Sequence, residues 1–277
     1  MIDLFGEMMS YKFMVHAVIV GLFVSVCASL LGVSLVLKRY SMIGEGLSNV
    51  GFGALAVALA FNLAPLKVSI PVVVFAAFLL LKISESSKIK GDAAIAIIST
   101  ASLAGGVMVV SLTTGISTDV CNFMFGSILA MRTSDVYLSI ALSIMVLALF
   151  VLFYNKIFAV TFDETFARAT GTKADWYNML IALLTAVTIV LGMRMMGALL
   201  ISSLIIFPAL SSMRVFKQFR SVVISSAVIS IFCFMIGITI SYLYATPAGA
   251  SVVMIDLVVF AVFFMVGKLR GKKWAGH

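Results

Sequence analysis

Nine mostly apolar stretches of 16 to 25 residues run through this chain, at residues 13–37, 42–61, 68–83, 93–113, 136–154, 176–192, 198–213, 222–243 and 252–267. A bilayer core takes about 20 apolar residues per helix. Once in lipid, a segment must satisfy its own backbone groups, so such runs can be only helices. The chain therefore reads as an all-α, polytopic membrane protein with about nine transmembrane helices. Composition agrees, with 63% hydrophobic and 11% charged residues, against about 45–50% and about 25% in soluble domains. A soluble enzyme and a disordered chain are both excluded. Residues 114–134 are too polar and interrupted for a tenth span and fit a short re-entrant outer helix over 122–131. No soluble domain fits anywhere. The chain is expected to be one transmembrane unit over 1–277, with residues 155–175 as the longest polar connection. The first charges, Asp3 and Glu7, are acidic, so 13–37 reads as the first span and not as a signal peptide.

The +8 net charge has a topological explanation. With nine spans, fifteen of the nineteen Lys and Arg residues fall on one side, leaving Lys12, Lys67, Arg132 and Arg194 on the other. The basic side is cytoplasmic, which predicts N-out and C-in and removes any need for a nucleic-acid partner. The three cysteines lack ligand spacing, and the two histidines, His16 and His277, cannot build a His-rich zinc site. There is no phosphate-binding Walker loop, so ATP hydrolysis is not expected of this chain.

Polar residues within spans are the candidates for function. Glu45 and Asn49 are four apart at the start of the second span and share a helix face. Together they offer hard oxygen ligands for a divalent cation; alternatively Glu45 pairs with Lys38 or Arg39 at the cytoplasmic edge. Asp256, a few residues into the last span, reads equally as an ion-path group or as an interfacial acid held by a neighbouring helix. Asp119 and Asn122 precede Phe123 and Phe125 on the outer side, where they line an entrance or cap a short helix. Residues 162–171 (FDETFARATG) carry acids in a first turn and a glycine after a last turn, the signals of a two-turn helix. Phe162 and Phe166 give it an apolar edge beside Arg168. Its acidic start favours docking in a protein groove over an anionic lipid surface.

These segments resemble, over nearly the whole chain and in order, the permease subunits of ATP-binding-cassette importers for zinc and manganese. Residues 31–48 (LGVSLVLKRYSMIGEGLS) are similar to that family's basic doublet followed by a Ser-(Leu/Met)-Ile-Gly-Asp-Ala-Leu-Ser-His segment. Residues 197–209 (GALLISSLIIFPA) resemble its Gly-x-Leu-Leu…Pro-Ala run, and 246–249 (TPAG) the turn before its last helix. Residues 162–171 resemble its cytoplasmic coupling segment. Residues 122–129 (NFMFGSIL) resemble the gate helix of the wider cobalamin and siderophore permease class.

The resemblance implies the type II importer permease architecture and transport of a divalent metal ion (manganese, zinc or iron) across the cytoplasmic membrane, with no bound cofactor. It also implies a second copy of this chain, a cytoplasmic ATPase dimer and an extracytoplasmic substrate-binding protein as partners, with membrane lipid around them. Asp163, Glu164, Phe166 and Arg168 would couple to the ATPase, and Asp119, Asn122 and Phe125 would form the outer gate. The family usually places Asp and then His where this chain has Glu45 and Asn49, and an apolar or small residue at Asp256. The missing imidazole keeps a permease for a metal chelate or a siderophore-like cofactor as the alternative, with a stand-alone ion transporter behind it.

Overall fold

A computed structural model describes residues 12–40, 42–86, 91–113 and 133–274. Among these residues there are helices and no strands: α1 (Lys12–Leu37), α2 (Ile43–Ala60), α3 (Pro65–Ser86), α4 (Gly91–Thr113), α5 (Thr133–Leu152), α6 (Tyr154–Phe162), α7 (Glu164–Ala169), α8 (Ala174–Met196), α9 (Ala198–Val215), α10 (Phe219–Tyr244) and α11 (Ala248–Trp274). Eight are long and apolar enough to cross a membrane, and α5 with α6, bent by 69°, makes a ninth. The expected outer helix over 122–131 lies outside the described residues.

The loop expected at 155–175 is the main difference. Asn155 and Lys156 dilute the apolar pattern there, yet the chain continues as α6, burying Ile157 and Val160. The bend at Phe153 is held by aromatic packing, with that ring 5.6 Å from Trp176 and 5.8 Å from Tyr177, edge to face. Beyond it, Phe158 and Phe162 stack around Phe219 of α10. Aromatic pairs of this kind add to area burial, so tertiary packing decides what hydropathy could not.

Burial separates centre from rim. In the spanning windows of α1 and α8, 78% of residues are buried in the bundle, against 17% for α11. The apolar core runs along α1, α8 and α9, through residues such as Val24, Leu31, Leu184, Ile189 and Ile201. Close contact of α1 with α9 requires Gly32, because a Cβ there would lie 2.0 Å from the Ile205 carbonyl oxygen. Small residues at helix crossings are how membrane bundles gain van der Waals contact without a hydrophobic driving force. Two serine hydroxyls then join α10 to α1: Ser226 donates to the Ser29 carbonyl (3.3 Å) and Ser230 to that of Ser25 (2.9 Å).

The helix ends bear on function. At the end of α1, Tyr40 N–H reaches the Leu35 carbonyl and Arg39 N–H that of Val36, with Arg39 at φ 62°. That is a Schellman turn with a non-glycine residue in the left-handed position. It returns the chain within a few residues into α2. Gly32 of α1 and Gly44 of α2 both meet Ile205; Gly51 meets Met193, next to Gly192, which meets Val24. α1 and α2 thus both pack on Ile205 of α9, and the Glu45–Asn49 stretch lies against α9 and α4, not directly beside α1.

Candidate translocation site and coupling element

Five of the chain's eleven acids have described side chains, and four of them have a hydrogen-bond partner. Glu45 is the exception: it is exposed and forms no ion pair among the described residues. Lys38, its alternative partner, is engaged elsewhere. Glu45 opens onto a cleft of about 270 Å³ lined by Ser48, Asn49 and Phe52 of α2, Leu103 of α4, and Leu199 and Ser202 of α9. The Asn49 amide donates to the Ser99 hydroxyl of α4 at 2.7 Å, which commits its nitrogen and leaves its oxygen as an acceptor. That bond depends on α4 lying close, and Gly53 permits it: a Cβ there would sit 2.8 Å from the Ser102 carbonyl oxygen. Ser48 and Ser202 donate back to their own helices, at Gly44 (2.8 Å) and Ala198 (2.9 Å). The cleft thus presents one carboxylate, one carboxamide oxygen and two hydroxyl oxygens, a hard donor set.

Two donors of strong character do not make a resident metal centre. Among the described residues no group of three or more His, Cys, Asp or Glu side chains could hold a metal ion. Asp256 does not line this cleft. It is 1% exposed, between α9, α10 and α11, where Ser203 donates to its Oδ2 at 3.3 Å and Cys233 lies within hydrogen-bonding contact. Its Oδ1 has no partner. Asp119, Asn122 and Phe125 lie outside the described residues.

The second constellation is at the other end of α8. Asp163 caps α7, accepting from Phe166 N–H at 2.9 Å. At its far end α7 closes on Gly171 at φ 79°, with Thr172 N–H on the Ala167 carbonyl. Phe166 is 65% exposed and forms the open part of the apolar edge read from sequence, whereas Phe162, 60% exposed, also packs on Phe219. The polar edge is not free. Arg168 Nη2 bridges Glu164 (2.7 Å) and Asp175 (2.6 Å). Asn178 donates its amide N–H to Glu164 Oε2 at 3.1 Å and accepts from Lys38 Nζ, which also lies 3.5 Å from Glu164.

Burial raises the Glu164 carboxyl, but hydrogen bonds from Arg168 and Asn178 and the charges of Lys38 and Arg168 outweigh it, and the group sits below its ordinary value. Lys38, Asp175 and Asn178 were not candidates from sequence. Lys38 reads from sequence as part of the topology count and as an alternative partner of Glu45, not of Glu164 or Asn178. Asn178 had a signal, a carboxamide in the first turns of an apolar run.

Residues 10–267 match the ABC 3 transport family. The chain belongs to that family. Its curated relatives include the manganese import system permease protein ScaB of Streptococcus gordonii, 28% identical over 94% of each chain. Another is the high-affinity zinc uptake system membrane protein ZnuB of Haemophilus influenzae, 26% identical over 91% of this chain and 97% of that one. Among solved structures it is similar to PsaBC from Streptococcus pneumoniae in complex with Fab, with a TM-score of 0.85 at 26% identity over 95% of each chain. The protein is a multi-pass, all-helical permease of this family in the cell membrane.

Proposed function

We propose that this permease forms the membrane path of an ATP-driven importer of a divalent metal ion, and that Glu45 and Asn49 are oxygen donors met by the ion in transit. The observation that carries this reading is Glu45: an acid with no partner among the described residues, within a spanning helix, opening onto a cleft between α2, α4 and α9 with a carboxamide one turn away. An uncompensated carboxylate there is costly, and a divalent cation is the chemistry that offsets it. Oxygen donors without imidazole suit manganese or ferrous iron better than zinc. A weak site is what conduction needs, because a strong one would not release. The names of the relatives, for manganese and for zinc, point to the same cargo class.

In this reading the basic side is cytoplasmic, and residues 1–277 act as one unit. A second copy faces the first across the path, and an ATPase dimer holds α7 by the exposed Phe166 edge, with Asp163, Glu164 and Arg168 fixing that helix. A binding protein delivers the ion to the outer side, near Asp119, Asn122 and Phe125. Closure of the ATPases rotates the permease halves as rigid bodies.

The test is uptake of manganese, zinc and iron by proteoliposomes holding the permease, its ATPase and its binding protein. ATP-dependent uptake of at least one ion is expected. A complex that hydrolyses ATP yet moves none of them, or moves only a chelate, overturns the proposal.

A further inference from the structure

The cytoplasmic polar network contains one residue that belongs to neither the coupling helix nor the helix it packs on. Lys38 is the last residue before the left-handed turn at Arg39, and its side chain is only 10% exposed. It donates to the Asn178 carboxamide and faces Glu164 at 3.5 Å. Glu164 is the first residue of α7, and its other oxygen is held by Arg168. A displacement of α7 therefore acts on the Lys38 ammonium through a carboxylate that is fixed on both oxygens.

From Lys38 the chain has little freedom. The Schellman turn binds Arg39 and Tyr40 back to α1, and Ile43 N–H bonds the Tyr40 carbonyl. Ile43, the first residue of α2, is buried. It lines a void about the size of one water together with Lys38, Tyr40 and Asn178. Packing that tight transmits displacement and does not absorb it. Two residues further on is Glu45.

We infer that Lys38 is a positioning residue that carries movement of α7 into the first turn of α2, and so sets the position of Glu45 during the transport cycle. The inference rests on the reading of α7 as the coupling helix. It adds a route: the ATPase acts on the ion path through the α1–α2 turn, by way of a Glu164–Asn178–Lys38 clamp, and not only through rigid motion of α8.

The test compares Lys38→Met, Lys38→Arg and Asn178→Ala in the reconstituted complex. Copurified ATPase, ATP hydrolysis and ions moved per ATP are measured for each. Lys38→Met is expected to keep the ATPase bound and hydrolysing while ions moved per ATP fall about tenfold, the size of an ordinary coupling energy. Lys38→Arg should recover most of that ratio, and Asn178→Ala should lower it severalfold. A purely structural role would lower the amount of complex and leave the ratio unchanged.

Wild-type ions moved per ATP in Lys38→Met, at any level of complex, overturns the inference. If Lys38→Met yields no complex, Asn178→Ala decides by the same ratio. Phe166→Ala separates the two readings: it should cost ATPase association. If it does not, the coupling-helix reading fails, whereas a bound ATPase lost only on Phe166→Ala, with Lys38→Met at the wild-type ratio, fails the clamp alone.

Discussion

Glu45 and Glu164 are the same side chain in opposite circumstances. Glu164 is 35% exposed and has Arg168, Asn178 and Lys38 around it, each on a different oxygen or at ion-pair range. Glu45 has no such partner among the described residues and faces an open cleft. A carboxylate whose oxygens are all engaged is fixed in space and can hold two helices together, but it has no capacity left for an incoming cation. One with free oxygens is a poor staple and an available ligand. In the proposed importer, that difference separates the element that stays rigid under load from the element that binds and releases the ion.

The largest effect that can break this comparison is at Glu45. Glu45→Gln keeps the shape and removes the charge that a divalent ion would meet. Ion uptake is expected to fall at least about tenfold, roughly 1.4 kcal/mol of lost interaction, while thermal stability and the amount of assembled complex stay at wild-type levels, because no protein partner is lost. Glu45→Asp should retain part of the uptake. Equal transport by Glu45→Gln would make this carboxylate a surface group, and the contrast with Glu164 would lose its meaning.

Much of this arrangement was legible before any coordinates. Helix existence follows from apolar runs long enough to span lipid, and all nine runs recur as helices, α1 to α5 and α8 to α11. The second of them even predicts the Glu45–Asn49 face, since a spacing of four decides it. The two-turn helix at 164–169 was marked by Asp163 before it and Gly171 after it. What was not legible is long-range. α6 exists because Phe158 and Phe162 find Phe219, more than fifty residues away in sequence. Lys38 meets Asn178 across 140 residues. A basic doublet has the same sequence signature whether it marks topology or clamps a helix, and only packing tells which.

Glu164 gives a smaller effect with a definite sign. Its carboxyl lies below the ordinary value of 4.5 in the folded protein, so the unfolded chain takes up the proton first as pH falls. The stabilisation it provides is therefore fully present above about pH 4.5 and is lost as pH drops below that, through the folded value. The thermal midpoint of detergent-solubilised wild-type permease should exceed that of Glu164→Gln at neutral pH by the equivalent of about 1 kcal/mol, a modest figure because the pair is partly solvated. The gap should close in acid. A gap that persists unchanged to pH 3.5 would mean that Glu164 acts through its shape and not its charge.

Asp256 is the intermediate case and the smallest effect. It is buried like a structural acid but under-partnered like Glu45, with Oδ1 orphaned and Oδ2 sharing the Ser203 hydroxyl, which also donates to the Leu200 carbonyl at 2.8 Å. Removing the carboxylate leaves Ser203 with that second acceptor and takes from Cys233 only a weak thiol contact. Replacing an imperfectly paired buried acid by an apolar group of similar size is commonly neutral or stabilising. Asp256→Leu is thus expected to change unfolding free energy by less than about 1 kcal/mol, or to raise it, and to leave uptake intact. A variant that folds at wild-type stability but loses transport would put Asp256 on the ion path with Glu45, because the only property it lacks is a carboxylate able to accept a cation or a proton about two turns into α11.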